Sequence, residues 1–184
     1  MQVSRRRGDG TCIASQPPVD KGARTLDGIR VLVVEDDDDT REVLTLGLTL
    51  YGAEVVAVCC AADAITELAK REPDVIVSDI GLPDEDGFEL IRRVRKLPPS
   101  RGGRVPAVAV TAFTLSDDAE EATRAGFQRH FRKPVDSQAL FAAVASVAER
   151  GRIERRHEAR RMAVARRLSA TEERRTDSER RTVA

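Results

Sequence analysis

The chain has 184 residues, 34% of them charged, and its 31 Lys and Arg balance its 31 Asp and Glu to a formal net charge of zero. That length fits one ordinary domain with extensions and excludes two large ones. No run of about 18 apolar residues occurs and the Arg-rich start leads into no apolar stretch, so no membrane helix or secretory signal is predicted and a cytoplasmic protein is expected.

The neutral total conceals a segregation of charge. Residues 1–27 hold five bases and three acids, residues 150–184 hold twelve arginines and six acids, and the 14 bases and 22 acids between them leave an acidic middle. The three cysteines are Cys12 and the vicinal pair Cys59 and Cys60. An odd number without C-x-x-C spacing fits neither a disulfide framework nor a zinc site, so unpaired thiols are expected.

Residues 1–27 mix Gly, Pro, Ser, Arg and Asp without apolar periodicity, too little to offset the entropy of ordering, and read as a flexible leader. Val31 to Val34 is a continuous apolar, mostly β-branched run ending in acids, the pattern of a strand buried on both faces. A helix is predicted from Asp39, with Asp39 as cap and Glu42 able to reach back, to about Leu50, closed by Tyr51-Gly52. The pattern repeats with a strand over Glu54 to Val58, a helix over Ala61 to Lys70, and a third buried strand over Val75 to Ser78 opening on Asp79. Pro73 keeps the second helix out of that strand.

Asp86 to Lys96 carries Phe88, Leu90, Ile91 and Val94 on one helical face, and the loop 98–104 follows it. Ala107 to Val110 is a fourth strand ending at Thr111. Asp117 to Ala125 is a polar helix, Arg129 to Phe131 a short fifth strand, and Ser137 to Arg150 an amphipathic helix. Five strands alternating with five helices predict an α/β fold with a doubly wound parallel sheet. Beyond Gly151 the composition turns to Arg, Glu, Ala and Ser. Residues 152–168 could form a charged helix, and the rest of the 151–184 tail reads as disordered in isolation. Its 34 residues are too few for a conventional added DNA-binding domain.

In open α/β sheets ligands bind beyond the carboxyl ends of the strands. Glu35 and Asp36 follow strand one, Asp79 strand three, Thr111 strand four and Lys133 strand five, so three carboxylates, a hydroxyl and an ammonium should share one crevice. Carboxylates so close repel one another unless a cation is present, and an all-oxygen group suits Mg²⁺ that keeps several waters. Lys133 can hold a phosphate oxygen and Thr111 can donate to another. A carboxylate nucleophile attacking phosphorus beside a metal is a coherent mechanism.

These residues resemble the receiver domain of bacterial two-component response regulators. The resemblance runs from about Gly28 to Arg150 and rests on Val-Val-Glu35-Asp36-Asp37, Asp79-Ile-Gly-Leu-Pro83-Asp-Glu-Asp-Gly87, Val110-Thr111-Ala112-Phe113 and Lys133-Pro134. It implies the flavodoxin-like (βα)5 fold with strand order 2-1-3-4-5. It also implies Asp79 as phosphoryl acceptor, and Glu35, Asp36, Asp79 and the Gly81 backbone carbonyl as Mg²⁺ ligands. Thr111 becomes the switch hydroxyl, Lys133 the phosphate-binding lysine, and the peptide before Pro134 a candidate cis bond. His130 falls where the family usually carries a switch aromatic, so His130 and Phe113 are expected to move with Thr111.

Two departures stand out. Asp38 occupies a position where proline is frequent, and His130 replaces the usual tyrosine or phenylalanine, which weakens an aromatic switch or adds a protonatable group. The Asp79-Ile-Gly-Leu-Pro run and the lead-in Leu26-Asp27-Gly28-Ile29-Arg30 look like receivers attached to hybrid sensor kinases. With no kinase segment in the 184 residues, a stand-alone regulator is expected.

The expected partners are a sensor histidine kinase or histidine phosphotransfer protein and an unidentified downstream protein, with no membrane role and a phosphorylation-dependent dimer left open. No turnover enzyme for small substrates is expected, only self-catalysed phosphoryl transfer and slow autodephosphorylation. Two other readings compete with this one. Asp36-Asp37-Asp38-Asp39-Thr40 satisfies the D-x-D-x-T signature of haloacid-dehalogenase-like phosphatases, with Asp36 as nucleophile and Asp38 as acid/base. Those enzymes place their lysine before a last acidic pair, whereas Lys133 follows every candidate acid. The twelve arginines of residues 150–184 could contact nucleic-acid phosphates, but the interspersed acids and the lack of aromatics disfavour it.

Overall fold

A computed structural model describes residues 25–83, 85–112 and 116–182 of the chain. The chain alternates β1 (Arg30–Val34), α1 (Asp38–Leu50), β2 (Glu54–Val58), α2 (Ala61–Arg71), β3 (Val75–Asp79), α3 (Gly87–Lys96), β4 (Ala107–Thr111), α4 (Ser116–Ala125), β5 (Arg129–Arg132) and α5 (Ser137–Thr182). The strands form one parallel sheet in the order β2-β1-β3-β4-β5. This is the doubly wound α/β architecture expected from the alternation. Most element ends fall within a residue of the predicted ones, and the loop after α3 holds a short 3-10 turn over Pro99–Arg101.

The period of two along each strand divides the core. Val31, Val33, Val75, Val77, Val108 and Val110 face one side, where Leu48 of α1 and Leu140, Phe141, Val144 and Val147 of α5 cover them. Leu32, Val34, Ile76 and Ala109 face the other, beneath Leu68 of α2, Ile91 and Val94 of α3 and Ala122 and Ala125 of α4. β1, β3 and β4 are therefore apolar on both faces, as strands between two helical layers must be. Their carboxyl ends are held in a common register: Val34 pairs with Ser78, Asp79 with Val110, and Thr111 with Arg132.

Three sequence expectations are corrected. The residue capping α1 is Asp37 rather than Asp39: its carboxylate accepts from the Thr40 backbone N–H at 2.8 Å and from the Thr40 hydroxyl at 2.6 Å. Four consecutive aspartates can each cap, and the position of Thr40 three residues on selects the second. The ordered body also begins before residue 28. Leu26 is fully buried in the α1/α5 layer and its N–H donates to the Tyr51 carbonyl, whereas residues 1–24 of the expected leader lie outside the described residues.

The third correction concerns the tail, since α5 does not stop at Arg150 but continues as one helix of 46 residues to Thr182. At 1.5 Å per residue that is about 69 Å. Gly151, which marks a change of composition in the sequence, does not break the helix. A Cβ there would come within 2.6 Å of the Pro106 ring, so glycine is what allows α5 to pass close over the start of β4. Ala, Arg and Glu, which dominate the following residues, are good helix formers.

Just past Gly151 the helix is fastened to the body. Asp74, buried before β3, accepts from Arg152 at 2.8 Å, from Arg155 at 2.6 Å and from the Arg30 N–H at 3.1 Å. Arg104 pairs with Glu158 one turn farther on. Beyond this the visible side chains, including Met162 and Val164, stand in solvent. Among the described residues no helix is long and apolar enough to cross a membrane.

Burial acts against the Asp74 carboxylate, but the hydrogen bonds from Arg152 and the Arg30 N–H and the charges of both arginines outweigh it and hold its pKa below the ordinary value. A carboxyl group depressed on folding stabilises the native state above its unfolded pKa of about 3.9, and that contribution is lost as pH falls through the lower folded value. Asp74→Asn should cost about 1–3 kcal/mol in urea unfolding at neutral pH, a range discounted because the arginines are partly exposed. The loss should shrink below about pH 4. An undiminished difference at low pH would show that packing, not charge, holds this corner.

Candidate functional site

The carboxyl ends of β1, β3 and β5 bring together residues far apart in the chain. Glu35 follows β1, Asp79 ends β3, and Lys133 follows β5. The Lys133 ammonium donates to both Glu35 oxygens at 2.9 Å and to Asp79 Oδ2 at 2.7 Å. Glu35 is 1% exposed and Asp79 8%, so this ion triad lies at the floor of the rim rather than on a solvated surface. Asp36 completes the acidic group from an exposed position. One carboxylate oxygen each from Glu35, Asp36 and Asp79 lie within 4.8 Å of one another.

Local contacts explain why these side chains converge. Arg41, one turn into α1, donates to the carbonyls of Glu35 at 2.8 Å and Asp36 at 3.2 Å and so pins the loop that presents both acids. The Gly81 N–H donates to Asp79 Oδ1 at 3.0 Å and fixes the rotation of the carboxylate, leaving Oδ2 toward Lys133. Asp86 caps α3 through the Glu89 N–H at 2.7 Å. Gly87 then sits so close to β3 that a Cβ would lie 2.3 Å from the Asp79 carbonyl oxygen. Thr111 is buried at the end of β4, and its carbonyl accepts from the Lys133 N–H at 2.8 Å. The Lys133–Pro134 peptide is cis.

The electrostatics are those of too few cations for the acids. Burial pushes the Glu35 pKa up, against the hydrogen bond from Lys133, and the nearby Asp79 and Asp36 push in the same direction as burial. Burial opposes the Lys133 ammonium, but hydrogen bonds to Asp79 and Glu35 prevail and raise its pKa above that of an ordinary lysine. Three carboxylates against one ammonium leave the group net negative when all are ionised. The donors are all oxygens and one carboxylate faces solvent, which is the chemistry Mg²⁺ takes, with waters filling the remaining positions.

Of the candidate residues, Glu35, Asp36, Asp79, Gly81, Thr111, Lys133 and Pro134 come to this one rim. His130 does not reach it: it is exposed on β5 opposite Ala109 of β4. Phe113 lies outside the described residues. Asp38, the acid/base of the phosphatase alternative, is the first residue of α1, almost fully exposed and paired with Arg41. Arg41 and Gly87 do structural work that the strand-end rule could not find, because neither stands at the end of a strand. The D-x-D-G spacing of Asp84, Asp86 and Gly87 was the available signal for the second.

Comparison with known proteins agrees with this geometry. Residues 31–145 match the family described as response regulator receiver domain. An uncharacterised 14.6 kDa protein of Leptolyngbya boryana is 42% identical over 121 residues, which are 66% of this chain and 91% of that protein. The sensor histidine kinase RcsC of Salmonella typhi is 33% identical over 136 residues, 74% of this chain but 14% of the kinase. The chain thus spans most of one relative and a small part of the other. Among solved structures, the receiver domain of a sensor histidine kinase from Pseudomonas aeruginosa PAO1, with magnesium ion coordinated in its active site cleft, superposes with a TM-score of 0.60. It has 29% identity and covers 66% of this chain and 98% of its own.

The close approach at Gly87 is directly testable. Gly87→Ala should destabilise the protein by about 1–3 kcal/mol, the cost of forcing a methyl into packed structure, read as a lower urea midpoint at unchanged slope. A variant as stable as the wild type would mean that the loop before α3 yields freely and does not hold Asp79.

Proposed function

This chain belongs to the response regulator receiver family of two-component signalling, and from that premise we propose that Asp79 is its phosphoryl acceptor. The observation that carries the reading is the Lys133 ammonium shared between Asp79 and Glu35, beside a third carboxylate within 4.8 Å. A carboxylate oxygen of Asp79 forms the new bond to phosphorus as the phosphorus–nitrogen bond of a donor phosphohistidine breaks. The electron pair returns to the imidazole, which takes its proton from solvent. The donor class is a sensor histidine kinase or a histidine phosphotransfer protein, and the site of action is the cytoplasm.

Glu35, Asp36, Asp79 and the Gly81 carbonyl are the residues proposed to hold Mg²⁺, which when bound supplies neutralising charge for the phosphoryl oxygens. The side chains do the positioning. Gly81 fixes the carboxylate rotation, Lys133 exchanges part of its contact with Asp79 for a phosphoryl oxygen, and the Thr111 hydroxyl donates to another. The chain modifies itself and slowly loses the group to water; it is not proposed to turn over small substrates.

Output must come from a surface with two arrangements that phosphorylation biases. The proposed surface, implied by the family resemblance, is β4, α4 and β5, including His130; Thr111 ends β4 and Lys133 directly follows β5. Phe113 and His130 would move with Thr111. The downstream partner is a protein that reads this surface, and a dimer of phosphorylated chains is one form such contact can take.

Intact mass after incubation with acetyl phosphate tests the acceptor. The wild type should gain one phosphoryl group only with Mg²⁺, and Asp79→Asn should gain none. An adduct that survives in Asp79→Asn and disappears in Asp36→Asn would move the nucleophile to Asp36. For the coupling, Lys133→Ala should still accept phosphate in part but lose the phosphorylation-dependent change in amide exchange across β4 and β5. Unchanged exchange differences in that variant would remove Lys133 from the switch.

A further inference from the structure

A second group of metal-ligating side chains stands on the same end of the sheet, outside the phosphorylation site. Cys59 and Cys60 follow β2 directly, and Asp63 lies in the first turn of α2. A sulfur from each cysteine and a carboxylate oxygen of Asp63 lie within 4.8 Å of one another. Both thiols are free, Cys59 exposed and Cys60 half-buried. Cys60 occupies the N-cap position of α2, yet its side chain makes no capping hydrogen bond. Its sulfur faces Asp63, whose backbone N–H and carboxylate are both close enough to act on the thiol.

The two acidic groups differ in chemistry. Glu35, Asp36 and Asp79 offer oxygen alone, the preference of hard Mg²⁺, whereas two thiolates select softer ions. Tetrahedral zinc, with Zn–S of about 2.3 Å and Zn–O of about 2.0–2.2 Å, holds its ligands roughly 3.5–3.8 Å apart. The three ligand atoms already lie within 4.8 Å of one another, at most about 1 Å wider than that spacing. The Asp63 backbone N–H favours a thiolate at Cys60, but burial and the Asp63 carboxylate outweigh it and hold this thiol above its ordinary pKa.

We propose that Cys59, Cys60 and Asp63 form a site for one thiophilic divalent cation of the zinc or cadmium class, with a fourth position open to water or an outside ligand. Binding replaces the two thiol protons, which go to solvent, and involves no oxidation. The site is independent of the phosphoryl-acceptor reading, since it shares no ligand with Asp79 or Lys133.

The test is a Cd²⁺ titration of the full chain in a non-thiol reductant, followed by the thiolate-to-cadmium charge-transfer band in the ultraviolet. The band should saturate at one cadmium per chain, be displaced by Zn²⁺ and persist in excess Mg²⁺. It should be lost in Cys59→Ser and in Cys60→Ser, weaken by tenfold or more in affinity in Asp63→Asn, and be unchanged in Cys12→Ser, with far-ultraviolet circular dichroism matched across the variants. No band in the wild type, an unaltered band in Cys60→Ser, a band that follows Cys12, or one cadmium for every two chains would overturn the proposal. The last outcome would mean that exposed Cys59 bridges molecules instead of chelating within one.

Discussion

The lysine ammonium between Glu35 and Asp79 is the contact on which the site depends. A parallel sheet delivers the ends of β1, β3 and β5 to one rim, and here two of them carry buried acids. Two carboxylate charges at this range repel by roughly 3–4 kcal/mol even at an effective dielectric constant of 20. Lys133, 98 residues from Glu35 and 54 from Asp79, offsets that repulsion with bonds of 2.7–2.9 Å. It does not neutralise it, because Asp36 adds a third charge. The remaining negative potential favours a cation at the rim, and that is the ground on which a phosphoryl site is proposed there.

The same lysine joins chemistry to scaffold. It is the residue after β5, and its N–H is tied to the Thr111 carbonyl. Any change in what the ammonium holds therefore acts on the β4 and β5 ends. At the opposite end of the sheet Asp74 performs a purely structural task, gathering Arg30, Arg152 and Arg155 so that α5 leaves the body in a defined direction. Asp74 meets three arginines while the three rim acids have one ammonium among them, and the contrast separates the two ends of the sheet.

Much of this was legible in the amino-acid sequence because buried parallel strands write a plain signal. Val31 to Val34, Val75 to Val77 and Ala107 to Val110 are apolar without alternation, and each stops at a polar residue. The strand-end rule then points to Glu35, Asp36, Asp79, Thr111 and Lys133 without a structure. Contacts between distant or degenerate partners were not legible. Asp74 meets arginines 78 and 81 residues away, and no local pattern announces that pairing. Asp37 was hidden among four acids of equal capping ability. Gly151 looked like a boundary because glycine usually weakens a helix, whereas here the ring of Pro106 requires its missing side chain.

If the under-paired carboxylates are what make this rim a cation and phosphoryl site, relieving them should stabilise the fold. The most direct measurement is the urea midpoint as MgCl₂ is titrated at constant ionic strength, for the wild type and for Asp36→Asn. The wild type should gain stability along a saturating curve set by RT ln(1 + [Mg²⁺]/Kd). Asp36→Asn should start more stable than the wild type and respond weakly. A wild type indifferent to Mg²⁺, or an Asp36→Asn variant that is less stable and responds equally, would contradict the charge imbalance at the centre of this account.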